Sequence, residues 1–151
     1  MPDLLVLNGP NLNLLGQREP ALYGRTTLAE IEQRLRGLVE KAGKSVEFFQ
    51  SNAEHELIDQ VQQAGSRNVG YIIVNAGALT HTSIGLRDAF KASGIPFIEV
   101  HISNVYARET FRRQSYLSDI AVGVIVGLGP RGYELAAQAA LEQLKSTTRA
   151  T

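Results

Sequence analysis

Five short apolar runs, at 4–7, 46–50, 69–74, 96–102 and 120–126, are separated by stretches in which the apolar period changes to that of a helix. This alternation constrains the fold more than any other feature. The first run is continuous and is cut off by Asn8-Gly9-Pro10, and the third is strongly β-branched, as suits strands buried on both faces. From Thr27 onward, Leu28, Ile31, Leu35, Leu38, Val39 and Ala42 fall on one helical face. Thr27 and Glu30 have capping-box spacing and Gly43 is a helix stop. Leu57, Ile58, Val61 and Ala64 mark a second helix ending near Gly65. A third runs to about Ser93 and a last one from about Gly132 to Lys145. Strands that alternate with helices pair in parallel through helical crossovers. The expectation is a doubly wound α/β domain over 1–151, with a five-stranded parallel sheet in the flavodoxin-like order 2-1-3-4-5. A chain of 151 residues is the size of one such domain.

Two connections exceed what the architecture needs. Residues 8–26 and 103–118 both leave the C-terminal ends of strands, where open α/β sheets bind ligands and where such turns usually take about two to six residues. Their charge is distinctive. Eleven of the fifteen basic residues are arginines, and these loops hold Arg18, Arg25, Arg108, Arg112 and Arg113 but no lysine, which favours planar recognition of a small anion. Asn104, Arg108 and Arg112 are expected to share one helical face. Lys41, Lys44, Lys91 and Lys145 fall within helices or at their C-terminal ends, which disfavours a Schiff-base lysine. The chain as a whole carries fifteen acids against fifteen bases, which excludes binding nucleic acid or anionic membranes by bulk charge. The zero is a cancellation: the two loops are positive and residues 26–64 are negative.

No cysteine is present, so disulfides, thiolate nucleophiles and cysteine-held metal clusters are excluded. His55, His81 and His101 are too dispersed for a helical metal pair, and no metal or other cofactor is expected. The sequence has neither a signal-peptide pattern nor a run of membrane-spanning length, and a cytoplasmic location is expected. Gly127-Leu128-Gly129-Pro130-Arg131-Gly132 fits GxGxxG, but it follows the last strand and Pro130 removes an N–H, so it reads as a tight turn beneath a closely packed helix. The first loop lacks a flavodoxin's phosphate turn, and the end of the first strand lacks the clustered acids of a phospho-acceptor receiver.

Strand alternation puts Phe97, Glu99 and His101 on one face, so the carboxylate and the imidazole can meet. Such a pair would fix the ring's tautomer and favour its protonated form; a plain buried hydrogen bond is the alternative. Tyr23 shares the first loop with Arg18. Its phenol acts as a base near neutral pH only with roughly 3–4 kcal/mol of phenolate stabilisation, which two guanidiniums within about 5 Å in a partly desolvated pocket could supply. Packing is the competing role for this tyrosine.

In addition, Asn8-Gly9-Pro10-Asn11-Leu12-Asn13-Leu14-Leu15-Gly16, Arg18-Glu19-Pro20 and Tyr23-Gly24 resemble the opening of the type II 3-dehydroquinate dehydratases (type II dehydroquinases) of the shikimate pathway. Asn75-Ala76-Gly77, His81-Thr82-Ser83, the stretch from Glu99 to Asn104, Arg108-Glu109 and Phe111-Arg112 resemble that family's other blocks, in order along nearly the whole chain. The resemblance implies removal of water from 3-dehydroquinate to give 3-dehydroshikimate through an enolate, without metal, cofactor or Schiff base. It implies Tyr23 as proton acceptor and Arg18 as transition-state stabiliser. Asn11 would position a water on the enolate, and His101 would be the proton donor, oriented by Glu99. Arg108 would serve the lid, residues 8–26, and the environment of the tyrosine. Asn75, His81, Ile102, Ser103 and Arg112 would contact substrate. Asp88, which the residues alone give as a solvated helical acid, would reach the substrate of a neighbouring subunit. The resemblance also implies a homo-oligomer, a dodecamer built from trimers. Without it, a binding module for a small anion is equally compatible with the arginine loops.

Overall fold

A computed structural model describes residues 2–17 and 19–149. Five strands form one parallel sheet: β1 (Leu4–Asn8), β2 (Val46–Gln50), β3 (Tyr71–Asn75), β4 (Phe97–His101) and β5 (Gly123–Val126), in the order β2-β1-β3-β4-β5. The helices are α1 (Pro20–Tyr23), α2 (Leu28–Lys41), α3 (Glu54–Ser66), α4 (Ile84–Ser93) and α5 (Arg131–Arg149). β1, β3 and β4 are buried along their whole length, whereas β2 and β5, at the edges, are only partly covered. This explains why the central strands are continuously apolar apart from their C-terminal ends and Glu99.

Each sheet face has its own core. Leu4, Val6, Tyr71, Ile73, Ile98 and Val100 pack with Ile31, Leu35 and Val39 of α2 and with the alanines of α5. Leu5, Leu7, Ile72, Val74 and Phe97 point the other way, onto Leu57 and Val61 of α3 and Leu86 and Phe90 of α4. The expected cap is present at α2, where Thr27 Oγ1 accepts the Glu30 N–H at 3.2 Å. At the other end Gly43 takes φ +77°, a conformation that costs glycine nothing.

The glycine-rich turn after β5 behaves as packing. A Cβ on Gly132 would lie 3.2 Å from Ile125 Cγ2 and 3.4 Å from Val100 Cγ1, so the start of α5 rests directly on the sheet. Several boundaries differ from expectation. β5 starts at Gly123 rather than 120, because the Ile120 and Ala121 N–H groups close a turn on the Leu117 carbonyl. β3 starts at Tyr71, and α5 continues to Arg149, past the expected end at 145. The first long loop is built from a 3-10 turn at Leu12–Leu14 and the single turn of α1.

Candidate active site

In the order β2-β1-β3-β4-β5 the winding reverses between β1 and β3, and the loops leaving those strands diverge to open a crevice. The chain after β1 and the chain after β3 nevertheless cross closely. The Gly9 N–H donates to the Asn75 carbonyl at 2.8 Å, and a Cβ on Gly9 would sit 2.3 Å from the Ala76 carbonyl oxygen. Only glycine fits there. Beyond this crossing lies a cleft of about 170 Å³, lined after β1 by Pro10, Asn11 and Leu12, from β3 onward by Asn75 and His81, and from β4 onward by His101, Ile102, Ser103, Val105, Arg108 and Arg112. That volume suits one small substituted ring and not a dinucleotide.

Glu99 and His101 form the floor. His101 Nε2 is 2.5 Å from Glu99 Oε2, with both side chains almost wholly buried. Ser118 Oγ donates to Glu99 Oε1 at 2.6 Å, and Ser115 Oγ lies 3.1 Å from each carboxylate oxygen. Burial pushes the Glu99 carboxyl up, but the hydrogen bonds from His101, Ser118 and Ser115 together outweigh it and hold the group below the ordinary carboxylate range. The pairing at Nε2 leaves Nδ1 as the His101 nitrogen available for proton transfer. The His81 ring stacks alongside, with centroids 6.4 Å apart and planes inclined by 17°. His81 Nδ1 lies 2.7 Å from the Gln114 carbonyl. A carbonyl can only accept, so Nδ1 carries a proton.

Asn75 is held by a buried amide–phenol–amide chain on the other face of the sheet. Its Nδ2 donates to Tyr133 Oη at 2.9 Å, and Tyr133 Oη donates to Asn8 Oδ1 at 2.5 Å. The Gly77 N–H donates to Asn75 Oδ1 at 3.2 Å. Burial pushes the Tyr133 phenol far up, so it acts as a neutral hydroxyl.

Arginines form the rim. Arg108 Nη1 donates to Ser103 Oγ at 3.3 Å, and Arg112 Nε donates to Glu109 Oε1 at 3.0 Å. The two arginine side chains are only 12% and 19% exposed, which strengthens their pull on an anion in the cleft. Opposite them, Asn11 has φ +70°, and its N–H donates to Asn52 Oδ1 at 3.0 Å.

Of the residues expected from sequence, Asn11, Asn75, His81, His101, Ile102, Ser103, Arg108 and Arg112 line this cleft, with Glu99 directly behind His101. Arg18 and the side chain of Tyr23 lie outside the described residues. Asp88 is exposed on α4 and is not among the residues lining the cleft. Asn104 corrects one expectation. The second long loop is not one helix but two separate 3-10 turns, Val105–Ala107 and Thr110–Arg112, because Arg108 and Glu109 between them are extended. Asn104 instead caps the first turn, its Oδ1 accepting the Tyr106 N–H at 3.1 Å. Gln114, Ser115 and Ser118, which touch His81 and Glu99, carry no sequence signal that marks them.

Residues 2–141 match the family described as Dehydroquinase class II. The chain belongs to this family. A 3-dehydroquinate dehydratase from Alkalilimnicola ehrlichii is 64% identical over 149 residues, which is 99% of this chain and 98% of that protein. One from Methylococcus capsulatus is 66% identical over 142 residues, covering 94% of this chain and 96% of its own. Among solved class II dehydroquinases, the type II dehydroquinase from Propionibacterium acnes superposes with a TM-score of 0.88 at 40% identity, over 94% of this chain and 98% of its own. A 3-dehydroquinate dehydratase-like protein from Bifidobacterium longum is more distant, with a TM-score of 0.70 and 28% identity over 96% and 99% of the two chains.

Proposed function

We propose that this chain is a 3-dehydroquinate dehydratase that forms 3-dehydroshikimate and water in the shikimate pathway. The observation that carries the reading is a buried His101–Glu99 pair at the floor of a small cleft with Arg108 and Arg112 on its rim, in a member of the class II dehydroquinase family. The arginines suit the substrate's carboxylate.

The reaction is a stepwise elimination. Tyr23, as phenolate, takes the proton beside the ketone, and the electron pair moves onto the ketone oxygen to give an enolate. Arg18 stabilises the phenolate and the charge that develops, and Asn11 holds a water against the enolate oxygen. As the enolate collapses, the hydroxyl β to the ketone leaves with a proton from His101 as water, giving a conjugated enone. Glu99 holds His101 in the productive tautomer. Each proton-transfer group is worth about 10²–10⁴ in rate. Asn75, His81, Ser103, the backbone at Ile102, and Arg112 bind substrate, and Arg108 supports the lid formed by residues 8–26. In this mechanism the chain uses no cofactor or Schiff base and works in the cytoplasm. Twelve copies assemble as four trimers, and Asp88 reaches the cleft of a neighbouring subunit.

Mixing the purified chain with 3-dehydroquinate is expected to raise the ultraviolet absorbance of an enone carboxylate, and borohydride is expected to have no effect on the rate. Binding without any absorbance change would instead indicate an anion-binding module. Tyr23→Phe is expected to keep the fold and lose at least about 10²-fold in turnover, together with hydrogen exchange at the carbon beside the ketone. Retained exchange would assign the base elsewhere.

A further inference from the structure

Behind the His101–Glu99 pair lies a short stretch, 114–118, that touches the His81 imidazole and the Glu99 carboxylate without lining the cleft. We propose that Ser115 and Ser118 are positioning residues for the His101 proton donor: their hydroxyls clamp the Glu99 carboxylate so that its remaining lone pair is aimed at His101 Nε2. The proposal rests on the dehydratase reading of the cleft.

Each hydroxyl is committed to this task. Ser115 Oγ accepts the N–H groups of Leu117 at 3.0 Å and Ser118 at 3.1 Å, so its acceptor side is full and its one hydrogen is left for Glu99, 3.1 Å away. Ser118 Oγ meets Glu99 Oε1 at 2.6 Å, the short separation expected when a hydroxyl donates to an ionised carboxylate. A buried carboxylate with a single partner would take up a proton. With His101 and two serines it keeps its charge and a fixed orientation. The neighbouring Gln114 carbonyl fixes the His81 tautomer, so one stretch sets the proton positions on both rings.

The stretch is itself anchored. The Tyr116 N–H donates to the Thr80 carbonyl at 2.9 Å, and the Tyr116 carbonyl accepts from Arg87 Nη1 at 2.9 Å. Among the described residues, the charged and titratable groups on the elements packed around Glu99 include His101 on β4, His81 after β3, Tyr116 in the stretch itself, Arg87, Asp88 and Lys91 on α4, Asp119, which pairs with Arg87, and the rim arginines Arg108 and Arg112.

The test compares the full chain with Ser115→Ala, Ser118→Ala, the double variant and Ser118→Thr, measuring kcat and KM for 3-dehydroquinate against pH. Ser118→Ala is expected to lower kcat about tenfold or more with KM within about twofold. The acid limb of kcat should move to higher pH, by about one unit in the double variant, because the carboxylate protonates more readily. Ser118→Thr should restore most of kcat. Folded alanine variants with an unmoved acid limb, a loss confined to KM, or a threonine variant as impaired as alanine would each overturn the proposal. So would a ¹³C titration of labelled Glu99 in the unmodified chain that places its carboxyl at or above the ordinary glutamate value, and this arm needs no variant to fold. An inactive wild type overturns the dehydratase reading instead. The two failures are distinct, because the ¹³C titration reads the clamp without turnover.

Discussion

Glu99 is the residue on which the chemistry and the stability of this domain meet. A carboxylate enclosed by β4 and the 115–118 stretch is tolerated because His101, Ser115 and Ser118 occupy its oxygens. Its proton affinity in the folded chain lies below the ordinary range. A group depressed in this way stabilises the fold at pH values above its unfolded pKa of about 4.3, and that contribution disappears as pH falls through the folded value. Melting temperatures of wild type and Glu99→Gln should therefore differ most near neutrality, and the gap should narrow below about pH 4. Glu109 and Asp119 are also held low, each chiefly by a hydrogen bond from an arginine, but they are common to both proteins and cancel in the comparison. A gap that widens on acidification would contradict the assignment. The pairing of Glu99 with His101 was legible in the sequence because strand alternation has a fixed period of two. Ser115 and Ser118 were not, because they reach Glu99 across sixteen and nineteen residues of irregular loop, where no periodicity says which way a side chain points.

At the scale of elements, the strand order and most helix positions were readable because every apolar run changes period at its boundary. The differences have two physical causes. The 103–118 connection has no apolar stripe, so nothing in it distinguishes one helix from two 3-10 turns, and Asn104 caps a turn instead of sharing a helical face. β5 starts later than its apolar run because Leu117, Ile120 and Ala121 are apolar without being extended; they pack beneath α4 as a turn. Conversely, the crossing of the β1 and β3 exits lay in plain sight as Asn8-Gly9-Pro10 and Asn75-Ala76-Gly77, but its tightness emerges only in three dimensions. Gly9→Ala drives a methyl group into the Ala76 backbone at 2.3 Å. Backbone cannot swing aside as a side chain can, so the expected cost is about 3 kcal/mol, at the upper end of overpacking. Chemical denaturation reads that loss, and wild-type stability in the variant would refute the close approach.

For the whole molecule, the segregated charge has a clear place in the fold. Rim arginines gather at the strand ends, while the acidic stretch 26–64 covers α2, β2 and α3. The β5 edge also carries apolar surface that the described chain leaves uncovered, with Val122 and Val124 52% and 38% exposed. An edge strand with apolar side chains favours association. Light scattering on the purified chain is expected to give a mass twelve times that of one chain, and Val122→Lys to lower it. A monomer at micromolar concentration would remove Asp88 from any neighbour's cleft.

Asn11 holds a left-handed backbone at the cleft's edge, a conformation that asparagine tolerates, glycine adopts freely and alanine resists. Its two contributions can therefore be separated by choice of replacement. Asn11→Gly retains the path of the chain and removes only the amide, whereas Asn11→Ala also works against the backbone. If the amide holds a water on the enolate, the glycine variant melts close to wild type yet turns over about 10²-fold more slowly, and the alanine variant loses melting temperature as well. Equal turnover in glycine variant and wild type would leave Asn11 only its part in shaping the loop. One left-handed residue thus allows the shape of the loop and the chemistry of its side chain to be measured apart.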